Sequence, residues 1–143
     1  MKSNNHIAKA EVSIHAPIEK VWLALTNPAL IKKYMFDTTV ESDWKEGSDI
    51  TWKGEFNGKA YEDHGIIESV EPNRHLQYSH TSGSPDGSEN GDTHMVDIQL
   101  TTVGNETHVA LTQDNNADEK AIAESEKNWN MMLSTMKDLL EQN

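Results

Sequence analysis

Residues 9–34, KAEVSIHAPIEKVWLALTNPALIKKY, change their hydrophobic period at Pro17, and that change decides the fold. Before it, Ala10, Val12 and Ile14 alternate with Glu11, Ser13 and His15, so a strand here puts its apolar side chains on one face and its polar ones on the other. Pro17 lacks the amide that a helix interior needs but suits the first helical position, and Ile18, Val21, Trp22 and Leu25 follow at helical spacing. Asn27-Pro28 repeats the start signal, with Asn27 as N-cap and Leu30, Ile31 and Tyr34 on the buried side of a second short helix.

The far end of the chain supplies a matching apolar surface. Ile122, Trp129, Met132, Leu133, Met136, Leu139 and Leu140 form a stripe that predicts one long amphipathic helix from about Ala117 to Gln142. Between the helices the sequence reads as strands and turns. Ile50 and Trp52 alternate after Gly47, Asn57-Gly58 is a hairpin turn signal, and a polar-rich strand can run from Lys59 to Val70. Pro72-Asn73 leads into Leu76–His80, Val96, Ile98 and Leu100 alternate with polar residues, and Gly104-Asn105 turns into Thr107–Thr112. Thr81–Asp92, TSGSPDGSENGD, has no apolar residue and is expected to be a solvated loop. A sheet with one face covered by the terminal helix satisfies both apolar surfaces, so the expected class is α+β.

Composition narrows the partners. The 143 residues fit a single domain, 1–143, and the apolar residues, 35% of the chain, fall in ordered periods. With 12 basic and 24 acidic residues the net charge is -12, a field that repels phosphate backbones and anionic lipid, so neither nucleic acid nor membrane is an expected partner. There is no cysteine, no apolar run long enough to span a bilayer and no apolar core of a secretion signal in MKSNNHIAKAE, so a cytoplasmic location is expected.

Four segments carry a resemblance that spans nearly the whole chain: Ile14-His15-Ala16-Pro17 with Val21-Trp22; Ser42–Gly47; Gly65–Glu68 with Pro72 and Leu76-Gln77-Tyr78; and Asn128-Trp129 through Leu133 with Met136-Lys137 and Leu140. In this order and spacing the chain resembles the SRPBCC (START and polyketide-cyclase-like) superfamily, and within it the group related to the activator of the heat-shock-protein-ninety ATPase. The resemblance implies a helix-grip fold, in which a curved antiparallel sheet wraps the long C-terminal helix around a cavity suited to a small or lipid-like apolar molecule. It also implies a chaperone as a partner class, although the eukaryotic activator joins such a domain to a separate N-terminal chaperone-binding domain and this chain is too short to hold both.

If the sheet wraps the helix, Trp52, Tyr78, His80, His94, Val96, Ile98, Val109 and Leu111 point inward, with Trp129, Met132, Leu133 and Met136 opposite. Such a lining suits a small apolar or aromatic ligand, and the same aromatic and Met residues equally suit a filled core. Tyr78, His80 and His94 are also the candidates for acid–base chemistry on a carbonyl compound, since an imidazole exchanges protons near neutrality and a phenol donates to an oxyanion. On the strand from Lys59, Glu62, His64 and Glu68 share one face and Asp63 takes the other; the pattern leaves open which face looks inward, and Glu68 reads as solvated.

No metal and no cofactor is expected. The seven histidines include no i, i+4 pair, and no Walker lysine, GxSxG elbow or GxGxxG after a strand occurs. Asp86, Ser88, Asn90, Asp92 and Asp97 partly follow a calcium-loop pattern but lack flanking helices, and read as a hairpin loop. The expected function is a cofactor-free small-molecule binding module, with a cyclase- or hydrolase-type enzyme and a chaperone-docking protein as alternatives.

Overall fold

The computed structural model describes residues 6–35, 37–56, 58–83, 89–116 and 118–141. The elements follow the order β1 (Ala8–Ile14), α1 (Ile18–Thr26), α2 (Pro28–Tyr34), β2 (Thr39–Ser42), β3 (Asp49–Phe56), β4 (Lys59–Glu71), β5 (His75–Gly83), β6 (Glu89–Val103), β7 (Glu106–Gln113) and α3 (Glu119–Glu141). All seven strands join one antiparallel sheet in the order β1-β7-β6-β5-β4-β3-β2. The fold is therefore α+β, a curved open sheet closed on one face by helices, as the helix-grip expectation requires.

This topology explains the short helices. β1 and β2 lie at opposite edges of the sheet, so the chain between them must travel from one edge to the other, and α1 and α2 make that crossing. They bury Val21, Ala24 and Leu25 from α1 with Ile31 and Tyr34 from α2. The Tyr34 hydroxyl donates to the Ala24 carbonyl at 2.9 Å and locks one helix to the other. Asn27 caps α2 as its sequence signal requires, its side-chain oxygen accepting from the amides of Ala29 and Leu30, a motif that contributes about 1 kcal/mol. Pro17 sits one place earlier than the sequence suggests. It is the extended N-cap residue of α1 (φ -66°, ψ 152°), and its carbonyl accepts from Val21.

The largest difference from the sequence reading concerns the polar stretch after His80. β5 continues to Gly83 and β6 begins at Glu89, so much of the expected loop is an extension of a hairpin. Strand residues need no apolar side chains where one face meets water, and here hydroxyl pairing takes their place: Thr81 and Thr93 are opposite each other with their hydroxyl oxygens 2.6 Å apart. Asp86 and Ser88 of the calcium-like pattern lie outside the described residues, and Asp97 is engaged elsewhere, with His75. β2 has no counterpart in the sequence reading; four residues are too few to display a period, and pairing with β3 defines it. The hairpin turn falls as expected, since Phe56 pairs with Lys59 and Gly58 has φ 77°, while Asn57 lies outside the described residues.

Strand β4 carries a bulge between Ile67 and Ser69. Before the bulge its odd-numbered residues face α3, with Ile67 fully buried, and Glu68 is exposed. The parity left open by the pattern is thus decided in favour of Asp63 facing inward. The core joins Ile14, Val21, Ile50, Ile67, Leu76, Val96, Val109 and Leu111 to Leu133, Met136 and Leu140 of α3.

Candidate functional site

Two hollows lie between the concave sheet face and the helices. The outer one, of about 340 Å³, is lined by Met35, Thr38, Trp52, Tyr61, Asp63, Tyr78, His80, Ser82, His94, Val96, Gln113, Ser125, Asn128, Trp129 and Met132. The inner one, of about 30 Å³, lies behind it among apolar side chains that include Ile98, Leu111, Leu133 and Met136. Of the residues named from sequence, Trp52, Tyr78, His80, His94, Val96, Trp129 and Met132 meet at the outer hollow, whereas Ile98, Leu133 and Met136 reach only the inner one. Val109 is fully buried in the core.

The sheet wall follows from strand register. Tyr78 and His80 are two apart on β5 and share a face, while β6 places Val96 opposite Tyr78 and His94 opposite His80. Trp52 on β3 packs against both, its ring 5.2 Å from that of Tyr78 and 4.8 Å from that of His80 in an edge-on approach. Such pairs hold aromatic rings in defined orientations. Tyr61 reaches the hollow because its cross-strand partner is Gly54; a Cβ there would come within 2.7 Å of the tyrosine ring.

Polar groups outnumber what the sequence reading allowed for. The carboxylate of Asp63 accepts from His80 Nε2 at 2.9 Å through one oxygen and from the Gly83 amide at 3.1 Å through the other, and its side chain is only 16% exposed. His94 Nδ1 lies 2.8 Å from the Asp114 carbonyl, which can only accept, so Nδ1 carries the proton. In their neutral forms the two imidazoles therefore keep lone pairs on His80 Nδ1 and His94 Nε2 that no hydrogen bond among the described residues uses. The indole of Trp129 donates to Gln113, whose amide reaches Asn116 at 3.5 Å; Asn116 also accepts from Ser125. This half-buried network ties α3 to the end of β7. Asp63, Gln113, Asp114 and Asn116 were missed from sequence because their roles depend on cross-strand neighbours; the one local signal was Asp63 taking the face opposite Glu62 and His64.

The two buried phenols differ in their partners. The Tyr34 hydroxyl is satisfied by Ala24, whereas Tyr78 has no hydrogen-bond partner for its hydroxyl among the described residues. Burial pushes both phenols well above their ordinary value, with Tyr78 adding to the effect on Tyr34. Each holds its proton more tightly folded than unfolded, so its stabilising contribution is complete below the unfolded value of about 10 and is lost as pH rises beyond it. Urea unfolding is expected to show stability falling above pH 10 by about 1.4 kcal/mol per pH unit per phenol, and Tyr78→Phe should lower that slope. An unchanged slope in the variant would contradict the burial of this phenol.

The remaining histidines lie away from the hollow in pairs or small networks. His75 bonds Asp97 on the sheet's other face, His64 pairs with Glu62 at 3.2 Å and His108 with Glu11 at 2.9 Å. Among the described residues no group of three His, Cys, Asp or Glu is placed to hold a metal ion, and no helix is long and apolar enough to cross a membrane.

Comparison with known proteins places this geometry in a family. The model for activator of Hsp90 ATPase homolog 1-like protein matches residues 15–141, which include β2 to β7 and all three helices. The chain belongs to that family. A similar protein of known structure is ChR145 from Cytophaga hutchinsonii, 52% identical over 99% of this chain and 97% of that one, with a TM-score of 0.82. The Aha1 dimer from Colwellia psychrerythraea is 26% identical, over 95% of this chain and 96% of that one, with a TM-score of 0.74. DynU16, a putative protein of the dynemicin biosynthetic locus, shares the fold at 18% identity and a TM-score of 0.81, with 97% of this chain covering 48% of it. No protein with a curated description matched. The SRPBCC-type resemblance read from the sequence, to the group related to the activator of the Hsp90 ATPase, is thereby established.

Proposed function

We propose that this protein is a small-molecule binding module whose site is the outer hollow between β3–β6 and α3. The observation that supports it best is a space of about 340 Å³ bounded by Trp52, Tyr78 and Trp129 and edged by hydrogen-bonding groups already held in place. Its size falls within the range of small-molecule sites, where apolar walls supply affinity and a few oriented polar groups supply selectivity. Among the described residues the lining contains no Lys or Arg, and Asp63 is its one carboxylate. A neutral ligand is therefore favoured over a carboxylate, a preference strengthened by the net charge of -12.

A ¹H–¹⁵N NMR titration of the full chain with matched pairs of neutral and carboxylated aromatic compounds tests this. Saturable shifts of the Trp129 indole and of the Trp52 to Val96 wall are expected with neutral members. Absence of shifts with every compound at millimolar concentration would overturn the reading.

The Asp63–His80 pair supports a second reading, an acid–base enzyme acting on a carbonyl compound. His80 Nδ1 serves as base while Asp63 orients the ring, and the Tyr78 phenol, kept protonated by burial, donates to the developing oxyanion. His80→Ala is then expected to lower turnover at least 100-fold while ligand binding persists; turnover within twofold of the parent would exclude His80 as the base.

A further inference from the structure

The two hollows share five lining residues, Met35, Trp52, Tyr78, Trp129 and Met132, so these side chains form the partition between them. Three are rings held by neighbours: Trp52 and Tyr78 by each other, Trp129 by its bond to Gln113. The other two are methionines, half-buried, unbranched and able to change rotamer at little cost. Polarity changes sharply across this partition. Asp63, His80, His94 and Asn128 all lie on the outer side, whereas the inner side offers Leu25, Ile31, Val40, Ile98 and Leu133. The inner space of about 30 Å³ would hold only a water or two, and apolar walls of this kind give water no partners.

We infer that Met35 and Met132 are specificity-determining residues that set the length of apolar tail the site accepts. When their side chains rotate aside, the hollows join, and a ligand can keep its polar end beside Asp63–His80 while a short alkyl tail passes toward Met136. The inference rests on the binding reading above and extends it: the ligand class is a neutral amphiphile with one polar end and a short apolar tail. Uniformly polar molecules leave the inner walls unused, and long tails exceed them.

Isothermal titration of the full chain with 4-methyl-, 4-ethyl-, 4-butyl-, 4-hexyl- and 4-octylphenol tests the inference. Affinity is expected to rise about fourfold per methylene over the first few carbons and then to level off. Leu25→Phe, which adds volume only on the inner side, should bring the ratio of 4-butylphenol to 4-methylphenol affinity toward one. Met132→Ala, which removes part of the partition and cannot overfill the core, should move the plateau to a longer chain. Binding of 4-methylphenol combined with an unchanged chain-length profile in both variants overturns this inference alone. Absence of binding by every alkylphenol, in a protein that also shows no NMR shifts with other neutral aromatics, overturns the binding reading and this inference with it.

Discussion

Gly65→Ala is expected to destabilise the fold by roughly 3 kcal/mol, the upper end of the over-packing range, and to lower the melting temperature by roughly 10 °C. A Cβ at this position would lie far inside van der Waals contact distance of the Ser79 carbonyl oxygen, 2.8 Å from its carbon and 3.4 Å from Ile50 Cγ2. The obstacle is backbone, so no rotamer change relieves it. β4 is also an inner strand, paired with β3 on one side and β5 on the other, and cannot move away from one without disturbing the other. The site shares this dependence, because Asp63 lies two residues before Gly65 and Ser79 lies between Tyr78 and His80. Calorimetry checks the effect; a melting temperature within 2 °C of the parent would mean that β4 and β5 are not held at this spacing.

Met132→Trp is expected to abolish ligand binding, raising the dissociation constant at least 100-fold. Met132 reaches both hollows from α3, and an indole there occupies space that a ligand needs in either one. The position is half-buried at the edge of the core, so the added bulk should cost only about 1 kcal/mol, within the over-packing range, and leave the protein folded. Circular dichroism establishes folding, and the NMR titration of the parent repeated on the variant gives the binding result. Retention of the parent's shifts in a folded variant would place the ligand elsewhere.

Together these substitutions separate two uses of one surface. Gly65 maintains the spacing of the wall, and Met132 occupies the space the wall encloses. On the proposed binding reading, the polar groups at the rim, Asp63 and His80 above all, would then choose among molecules that fit.

The elements legible in the sequence were those with a sustained period or a local chemical signal. β1 announced itself by alternation, α1 and α2 by Pro17 and the Asn27 cap, and α3 by a stripe from Ile122 to Leu140. These are short-range properties, set by backbone geometry and the need to bury one face. The family resemblance added the curvature of the sheet, and with it the inward set of Trp52, Tyr78, His80 and His94. The extension of β5 and β6 through polar residues, the four-residue β2 and the inward face of β4 carried no such signal, because each depends on what a neighbouring strand supplies. Asp63 became the partner of His80 only through antiparallel pairing across seventeen residues, and Gln113 the partner of Trp129 only when α3 packed across the sheet. Periodicity thus determined which faces are buried in β1 and the three helices. The enclosed space, its polar rim and its methionine partition were decided by register and by the seat of α3, which depend on contacts between residues far apart in the chain.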